Sequence, residues 1–346
     1  MARIVVVTST PPLTEGGHLV IARSLVRALE EAGHEAGIVL TPQNRFGRQG
    51  PAYLANWFTD VGRTGDGRTT DQVISFRFPS YAVRHERHVC WLNHRMREYY
   101  DQWDRFHATL SWKGRIKEGL RRRAIHATDH YLLTRNVTKL FAQSRNIQNR
   151  LQRFGRIPSE VLYPPPPPRA YRCDGFAGGI FLVSRLTPLK RVDLVLAAIA
   201  RPEAGRVRLA VAGDGEDAPR LQALARSLGV DNRVEFLGRI DDEQLVARLA
   251  TCRAVCFPPL DEDYGFVTVE AFASGKPVVT CDDSGGAMEL VEDGRNGLVT
   301  PPTPEALGIA LARVAADRAF AERLGHAAAR TAASLTWPRA VERLIG

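Results

Sequence analysis

The chain has 346 residues, 44% of them hydrophobic and 25% charged, and a net charge of +9. That length allows about two domains of common size, and the composition is that of a globular protein. No segment approaches the ~20 apolar residues needed to span a bilayer, so a membrane-spanning helix is excluded.

The N-terminus MARIVVVTST runs directly into a strand-like stretch, Arg3–Ser9, with no signal-peptide layout. The loop TPPLTEGG follows. Then comes His18–Ala32, where Ala22, Leu25, Val26 and Leu29 recur at helical spacing. Gly33 stops that helix and HEAGIVL returns as a strand. Such a β-α-β unit implies a parallel sheet. Gly16-Gly17, between strand and helix, permits close approach of the backbone to a phosphate, or simply makes a tight turn. Further on, HVCWLNH reads as a strand ending on His94. A lone histidine is more often structural than functional, and His85, His88 and His107 lie nearby.

From Arg84 to Arg156 there are 17 Lys/Arg against 6 Asp/Glu, a local net of +11. A basic patch implies an anionic neighbour: nucleic acid, an anionic membrane or a phosphorylated ligand. Within it, WKGRIKEGLRRRAIHATDHYLL places Trp112, Ile116, Leu120 and Ile125 close to one helical face. That pattern suits an interfacial helix, and also a solvated basic face over an ordinary buried stripe. No recognition motif accompanies the charge, so nucleic acid is not expected as a partner. Pro164–Pro168 then form a stiff polyproline segment that can be neither helix nor central strand. It reads as a semi-rigid linker.

After the prolines the rhythm is regular. GGIFLVSRL, VRLAVAG, VEFLG, AVCFPP and PVVTCD read as strands. Between them VDLVLAAIA, PRLQALARSLG, DEQLVARLA and VTVEAFASG read as helices. This alternation predicts a doubly wound α/β domain. Two α/β domains with a cleft between them are therefore expected, a cleft being a favoured ligand location. Gly213-Asp214-Gly215 lacks the third glycine of a dinucleotide fingerprint, and the first βα turn lacks it too. Both absences count against an NAD-dependent oxidoreductase. The five cysteines show no metal-type pairing, and an odd number without a secretion signal is expected of free thiols in a reducing compartment.

Two stretches carry candidate chemistry. In Ser184–Arg191 (SRLTPLKR), Arg185 and Lys190 follow a strand, where open α/β sheets bind ligands. A guanidinium fork beside an ammonium suits a diphosphate, though two ordinary surface cations give the same pattern. The second stretch is DEDYGFVTVEAFAS, residues 261–274. Pro258-Pro259 and Gly265 argue for a loop carrying Glu262, then a helix starting near Phe266 with Glu270 in its early turns. Gly275 and Pro277 would end it. The amides of Gly265, Phe266 and Val267 would form an anion site, with Glu262 accepting from hydroxyls. A phosphorylated polyol fits that combination. A capped surface helix with two solvated acids is the alternative.

Together these residues make the chain resemble glycosyltransferase family 4, retaining nucleotide-sugar transferases of the GT-B type with two Rossmann-like domains. The most specific part is Pro258–Glu289, where EDYGFVTVEAFASGKPVV looks like the family's pair of glutamates separated by seven residues. The resemblance implies that Glu262, with the amides of Gly265, Phe266 and Val267, holds the donor sugar hydroxyls and distal phosphate. Glu270 would bind the ribose hydroxyls. Arg185 and Lys190 would clamp the diphosphate and stabilise the departing charge. Gly16 and Gly17 would touch the phosphates. The Gly238-Arg239-Ile240 backbone would meet the nucleobase, and His94 would reach the donor sugar near its reacting carbon. TWPRAVERLI looks like the helix that crosses back onto the first domain. The implied domains are an acceptor-side domain, 1–168 plus 335–346, and a nucleotide-sugar-binding domain, 169–334.

The reaction so implied is front-face displacement with retention, the leaving diphosphate oxygen taking the acceptor proton. It needs neither the carboxylate pair of a glycosidase nor a metal or cofactor, so Asp261-Glu262-Asp263 is not expected to hold a metal. The implied partners are a UDP- or GDP-hexose and a glycan, lipid-linked or small-molecule acceptor, with Thr41–Arg68 among the loops that would choose the acceptor. The expected location is the cytoplasm, with peripheral contact to an anionic membrane through the basic segment. A sugar-nucleotide epimerase or hydrolase on the same scaffold is the alternative. The chain departs from the family at Ser184 and Arg191, where glycine is frequent, and at the proline run, which replaces an Asn-Gly element after PSEVLY.

Overall fold

The structure is a computed structural model that describes residues 1–13, 16–43 and 46–346. The chain divides into two compact units, Met1–Pro164 with Thr336–Gly346, and Pro165–Leu335. Each is built on a six-stranded sheet with every strand pair parallel.

The first unit runs β1 (Arg3–Thr10), α1 (Gly17–Glu31), β2 (Glu35–Pro42), α2 (Gln49–Trp57), β3 (Gln72–Arg77), β4 (His88–His94), α3 (Trp103–Ala108), α4 (Trp112–Tyr131), β5 (Lys139–Ala142), α5 (Arg145–Arg153) and β6 (Glu160–Val161). The strand order is β2-β1-β3-β4-β5-β6. Sheet growth reverses at β1, so the carboxyl ends of β1 and β3 form the switch point where such sheets take ligands. The apolar runs of β1 and β3 follow from covering both faces of a parallel sheet; Ile4, Val6, Val7, Val73 and Ile74 are all buried.

Helix α4 turns an unexpected face inward. Its buried residues are Glu118, Ile125 and Asp129. Trp112, Ile116 and Leu120 are 69%, 60% and 61% exposed, which corrects the reading of an ordinary buried stripe. The reason is a set of phenols in the core. Asp129 accepts from Tyr53, from Tyr81 at 2.6 Å and from Tyr100 at 2.7 Å. Glu118 accepts from Tyr99 at 2.8 Å and from Arg121 at 2.5 Å. Burying a carboxylate is costly unless donors replace its water, and three hydroxyls supply them at Asp129.

The second unit runs β7 (Ile180–Val183), α6 (Val192–Ile199), β8 (Leu209–Ala212), α7 (Ala218–Ser227), β9 (Val234–Gly238), α8 (Asp242–Thr251), β10 (Ala254–Cys256), α9 (Phe266–Ala273), β11 (Val278–Cys281), β12 (Gly297–Thr300), α10 (Pro304–Ala316) and α11 (Arg318–Ala333). The order is β12-β11-β10-β7-β8-β9. Alternation along β7 sends Ile180 and Leu182 into one apolar layer, with Val195, Leu311 and Leu324. Phe181 enters the other, with Val255, Phe257 and Phe272. From β7 the chain builds outward through β8 and β9, then returns to the far side of β7 with β10. The β7/β10 pair is therefore the switch point of this unit.

After α11 the chain rejoins the first unit through α12 (Trp337–Ile345). Trp337 meets Trp91 of β4 edge-on at 6.2 Å. Gln72 Nε2 donates to Leu344 O at 2.6 Å, and Arg343 pairs with Glu160. This is the crossing helix read from TWPRAVERLI.

Candidate active site

The loops leaving β7 and β10 are bonded to each other. After β7, a short turn over Pro188–Lys190 brings the chain to Arg191, whose backbone is left-handed with φ 50° and ψ 40°. Leu260 N, on the loop after β10, donates to Leu189 O at 2.8 Å. Across this join Lys190 Nζ donates to Glu262 Oε2 at 2.5 Å. Arg185 is exposed and meets no side-chain partner among the described residues.

Glu262 is held from behind by the turn after β11. Its N donates to Ser284 O at 3.1 Å, and its carbonyl accepts from Gly286 N at 2.8 Å. The fit needs glycine: a Cβ on Gly286 would lie 2.3 Å from Asp263 O. Gly265 caps α9 with φ 86°, and a Cβ there would lie 2.8 Å from Ala287 Cα. The leading amides of α9, those of Phe266 and Val267, have no intrahelical acceptor. With no side chain capping that end, it can take an anion.

Arg191 is a residue whose role the sequence reading missed. Its Nε donates to Pro258 O at 2.7 Å and Nη2 to Pro259 O at 2.9 Å. Its two terminal nitrogens bind Asp283 bidentately at 2.7 and 2.6 Å. One guanidinium thus ties the Glu262 loop to the turn behind it. The left-handed backbone is one that glycine adopts freely, whereas a non-glycine residue pays about 1 kcal/mol or more there. Here the four strong bonds of the side chain offset that strain. The only local hint was the departure from glycine.

Glu270 lies in the second turn of α9 and is 7% exposed. Its Oε1 accepts from Arg169 and from Tyr171 at 3.2 Å. Burial pushes its carboxyl above the ordinary glutamate value, opposed by the Arg169 charge and the Tyr171 hydroxyl. Gly238, with φ 66°, ends β9 and accepts from Gly213 N at 2.7 Å. Arg239 is exposed and Ile240 half-buried just ahead of α8. The glycines of Gly213-Asp214-Gly215 serve packing: Cβ atoms there would lie 1.8 Å from Ser184 O and 2.2 Å from Leu186 O.

The remaining candidates belong to the first unit. Gly16 is the N-cap of α1 and Gly17 its first residue; Thr14 and Glu15 of the same loop lie outside the described residues, as do Asn44 and Arg45 of Thr41–Arg68. His94 ends β4, half-buried, with Nδ1 2.9 Å from Arg95 O. The competing histidines have other contacts. His88 is fully buried, 2.8 Å from Ser75 Oγ, and burial pushes its pKa down to about 3. His85 lies 3.1 Å from Thr70 O, and His107 tilts over Trp103 at 5.0 Å. Of the four, His94 is the one at the carboxyl end of an interior strand.

Within the second unit, then, a cation pair, helix amides and a carboxylate that can accept hydroxyls gather at one switch point, with Glu270 buried one helical turn further on. Residues 179–331 match the family model for glycosyl transferases group 1. A D-inositol 3-phosphate glycosyltransferase of Stackebrandtia nassauensis is 36% identical over 184 residues, covering 50% of this chain and 40% of the relative. The chain thus matches about two fifths of the length of that relative. A sucrose-phosphate synthase from Thermosynechococcus elongatus superposes with a TM-score of 0.78 at 17% identity, covering 99% of this chain and 97% of the other. The Anabaena protein Alr3699/HepE, solved with UDP and glucose, gives a TM-score of 0.69 at 18% identity, covering 100% and 98%. Such identities establish fold alone, here the GT-B fold of two Rossmann-like units, while the stretch from β7 into α11 matches the model for glycosyl transferases group 1.

Proposed function

We propose that the chain is a retaining glycosyltransferase that moves a hexose from a UDP- or GDP-sugar to a glycan, lipid-linked or small-molecule acceptor, as polysaccharide biosynthesis requires. The observation that carries the reading is the Lys190–Glu262 pair beside the amino end of α9, at the switch point of a group 1 segment. The UDP and glucose bound by the Anabaena protein have the matching chemistry.

In this reading the second unit is the donor-binding domain and the first, with α12, the acceptor-side domain. Arg185 and Lys190 face the diphosphate together with the amides of Gly265, Phe266 and Val267. Lysine carries three N–H donors, so Lys190 can stay on Glu262 and still reach a phosphate oxygen. Glu262 takes donor sugar hydroxyls and Glu270 the ribose. Gly238, Arg239 and Ile240 lie along the base, while Gly16, Gly17 and His94 serve from the first unit. As the glycosidic bond breaks, negative charge grows on the leaving diphosphate. Cations and amides already aimed there stabilise it more than they stabilise the donor. The same oxygen takes the acceptor proton, so the configuration is retained.

A thermal-shift screen with UDP, GDP, dTDP and their sugars tests the donor. A true ligand at 100 times its Kd stabilises by about 2.7 kcal/mol. Product NMR then tests the chemistry. Inversion would refute the retaining mechanism, and donor turnover that needs no acceptor would favour an epimerase or hydrolase.

The location we propose is cytoplasmic, with peripheral contact at the inner face of an anionic membrane. Support comes from α4, which exposes Trp112, Ile116 and Leu120 one turn apart among the exposed Lys113, Arg115, Lys117 and Arg123. An apolar stripe edged by cations suits the interface, and each such cation adds about 1 kcal/mol near an anionic surface. Among the described residues no helix is long and apolar enough to cross a membrane. Sedimentation with liposomes should show salt-sensitive binding that needs anionic lipid and is lost in a Trp112→Ser, Ile116→Ser, Leu120→Ser variant. No binding at low salt would point to a soluble acceptor.

A further inference from the structure

The proline run ends on a residue that the donor site as described does not use. Arg169 N donates to Pro167 O at 2.9 Å, and Tyr171 N to Arg169 O at 2.8 Å. Two tight turns in succession follow the stiff segment. Side chains 169 and 171 then meet the same atom, Glu270 Oε1. The other arm of the guanidinium is held by Asp242 Oδ1, which accepts from Arg169 Nη2 at 2.9 Å. Glu270 Oε2 accepts no hydrogen bond from a described residue.

We propose that Arg169 is a positioning residue for nucleotide recognition, fixing the Glu270 carboxylate by one oxygen and leaving the other for a ribose diol. The inference rests on the assignment of Glu270 to the ribose. Three groups govern the charge of Glu270: burial and Asp242 push its pKa up, and Arg169, with the Tyr171 hydroxyl, pulls it down. Tyr171 is a neutral donor, so Arg169 is the cation that favours the ionised form of the buried carboxylate against desolvation. An ionised acceptor holds hydroxyls roughly twice as strongly as a neutral one. The proline run leads directly into this arginine.

Titration calorimetry with UDP and 2′-deoxy-UDP, or the guanosine pair where GDP binds more tightly, tests the proposal between pH 5.5 and 8. Wild type should prefer the ribonucleotide by roughly 10-fold, the worth of one good hydrogen bond. Arg169→Gln should lose most of that preference. Its ribonucleotide affinity should also fall at a higher pH than in wild type, because Glu270 without the cation protonates earlier. Arg169→Lys, which keeps the charge, should retain part of both properties and guards against a folding defect in the glutamine variant. If Glu270→Gln loses the preference while Arg169→Gln keeps wild-type preference and pH profile, Arg169 is only a structural tie and the proposal falls. If wild type itself shows no preference, the ribose assignment of Glu270 falls and this inference with it.

Discussion

Replacing Lys190 by alanine separates two roles that one ammonium plays. Its Nζ lies 2.5 Å from Glu262 Oε2, and the two side chains keep 20% and 25% exposure. That environment lies between a surface pair, worth about 0–1 kcal/mol, and a buried one, whose disruption costs about 3–5 kcal/mol. Discounted for its remaining solvent, loss of Lys190 should cost about 1–2 kcal/mol, a melting shift of a few degrees for a unit of this size. The catalytic loss should be larger. Removing one preorganised donor from a developing anion costs about 100-fold in kcat, or about 2.7 kcal/mol. Glu262→Ala and the Lys190→Ala, Glu262→Ala double variant complete the cycle. Removing both partners should restore much of the lost stability, while kcat falls at least as far as in Lys190→Ala. Release of the nucleoside diphosphate at saturating donor measures kcat, and calorimetry measures stability. A Lys190→Ala enzyme whose kcat is within threefold of wild type would refute the assignment and leave Lys190 a structural partner of Glu262.

Three further outcomes are expected. Arg185→Ala should leave stability within about 0.5 kcal/mol of wild type, since the side chain is exposed and unpaired among the described residues, yet lower kcat by ~100-fold; a normal kcat removes Arg185 from the site. Gly265→Ala meets both a left-handed φ of 86° and the Ala287 backbone at 2.8 Å. It should lose about 2–3 kcal/mol by denaturant titration, and an unchanged midpoint would mean that α9 starts differently. For His88, burial lowers the folded pKa from 6.5 to about 3, so the stability gained by keeping it neutral is whole above pH 6.5. It is lost as pH falls toward 3, at up to about 1.4 kcal/mol per unit. His88→Gln should flatten that slope between pH 6.5 and 4, and an identical slope in both proteins would contradict the neutral, buried assignment.

Much of this molecule can be read without coordinates. Val, Ile and Leu runs bounded by glycine and proline mark buried parallel strands, and the amphipathic stretches between them have few other places to go. The start of α9 is equally local, because Pro258-Pro259 and Gly265 forbid a helix earlier. So the alternating α/β fold of both units, and the positions of Arg185, Lys190, Glu262 and Glu270 on strand-end loops or the helix after one, follow from near neighbours in the chain. What those side chains touch does not. Arg169 reaches Glu270 across 101 positions and Arg191 reaches Asp283 across 92, and no periodicity encodes a pairing of that length. The inward face of α4 was also beyond sequence pattern. Helical spacing marks a stripe by hydrophobicity, but the choice of face fell to four tyrosines, Tyr53, Tyr81, Tyr99 and Tyr100, whose hydroxyls needed acceptors in the core. Once Asp129 and Glu118 supply those acceptors, Trp112, Ile116 and Leu120 are left on the solvent side. Local sequence determines where elements begin and which residues they carry; the partners of buried charge are decided only when distant segments are packed together, because only there is the cost of desolvation met.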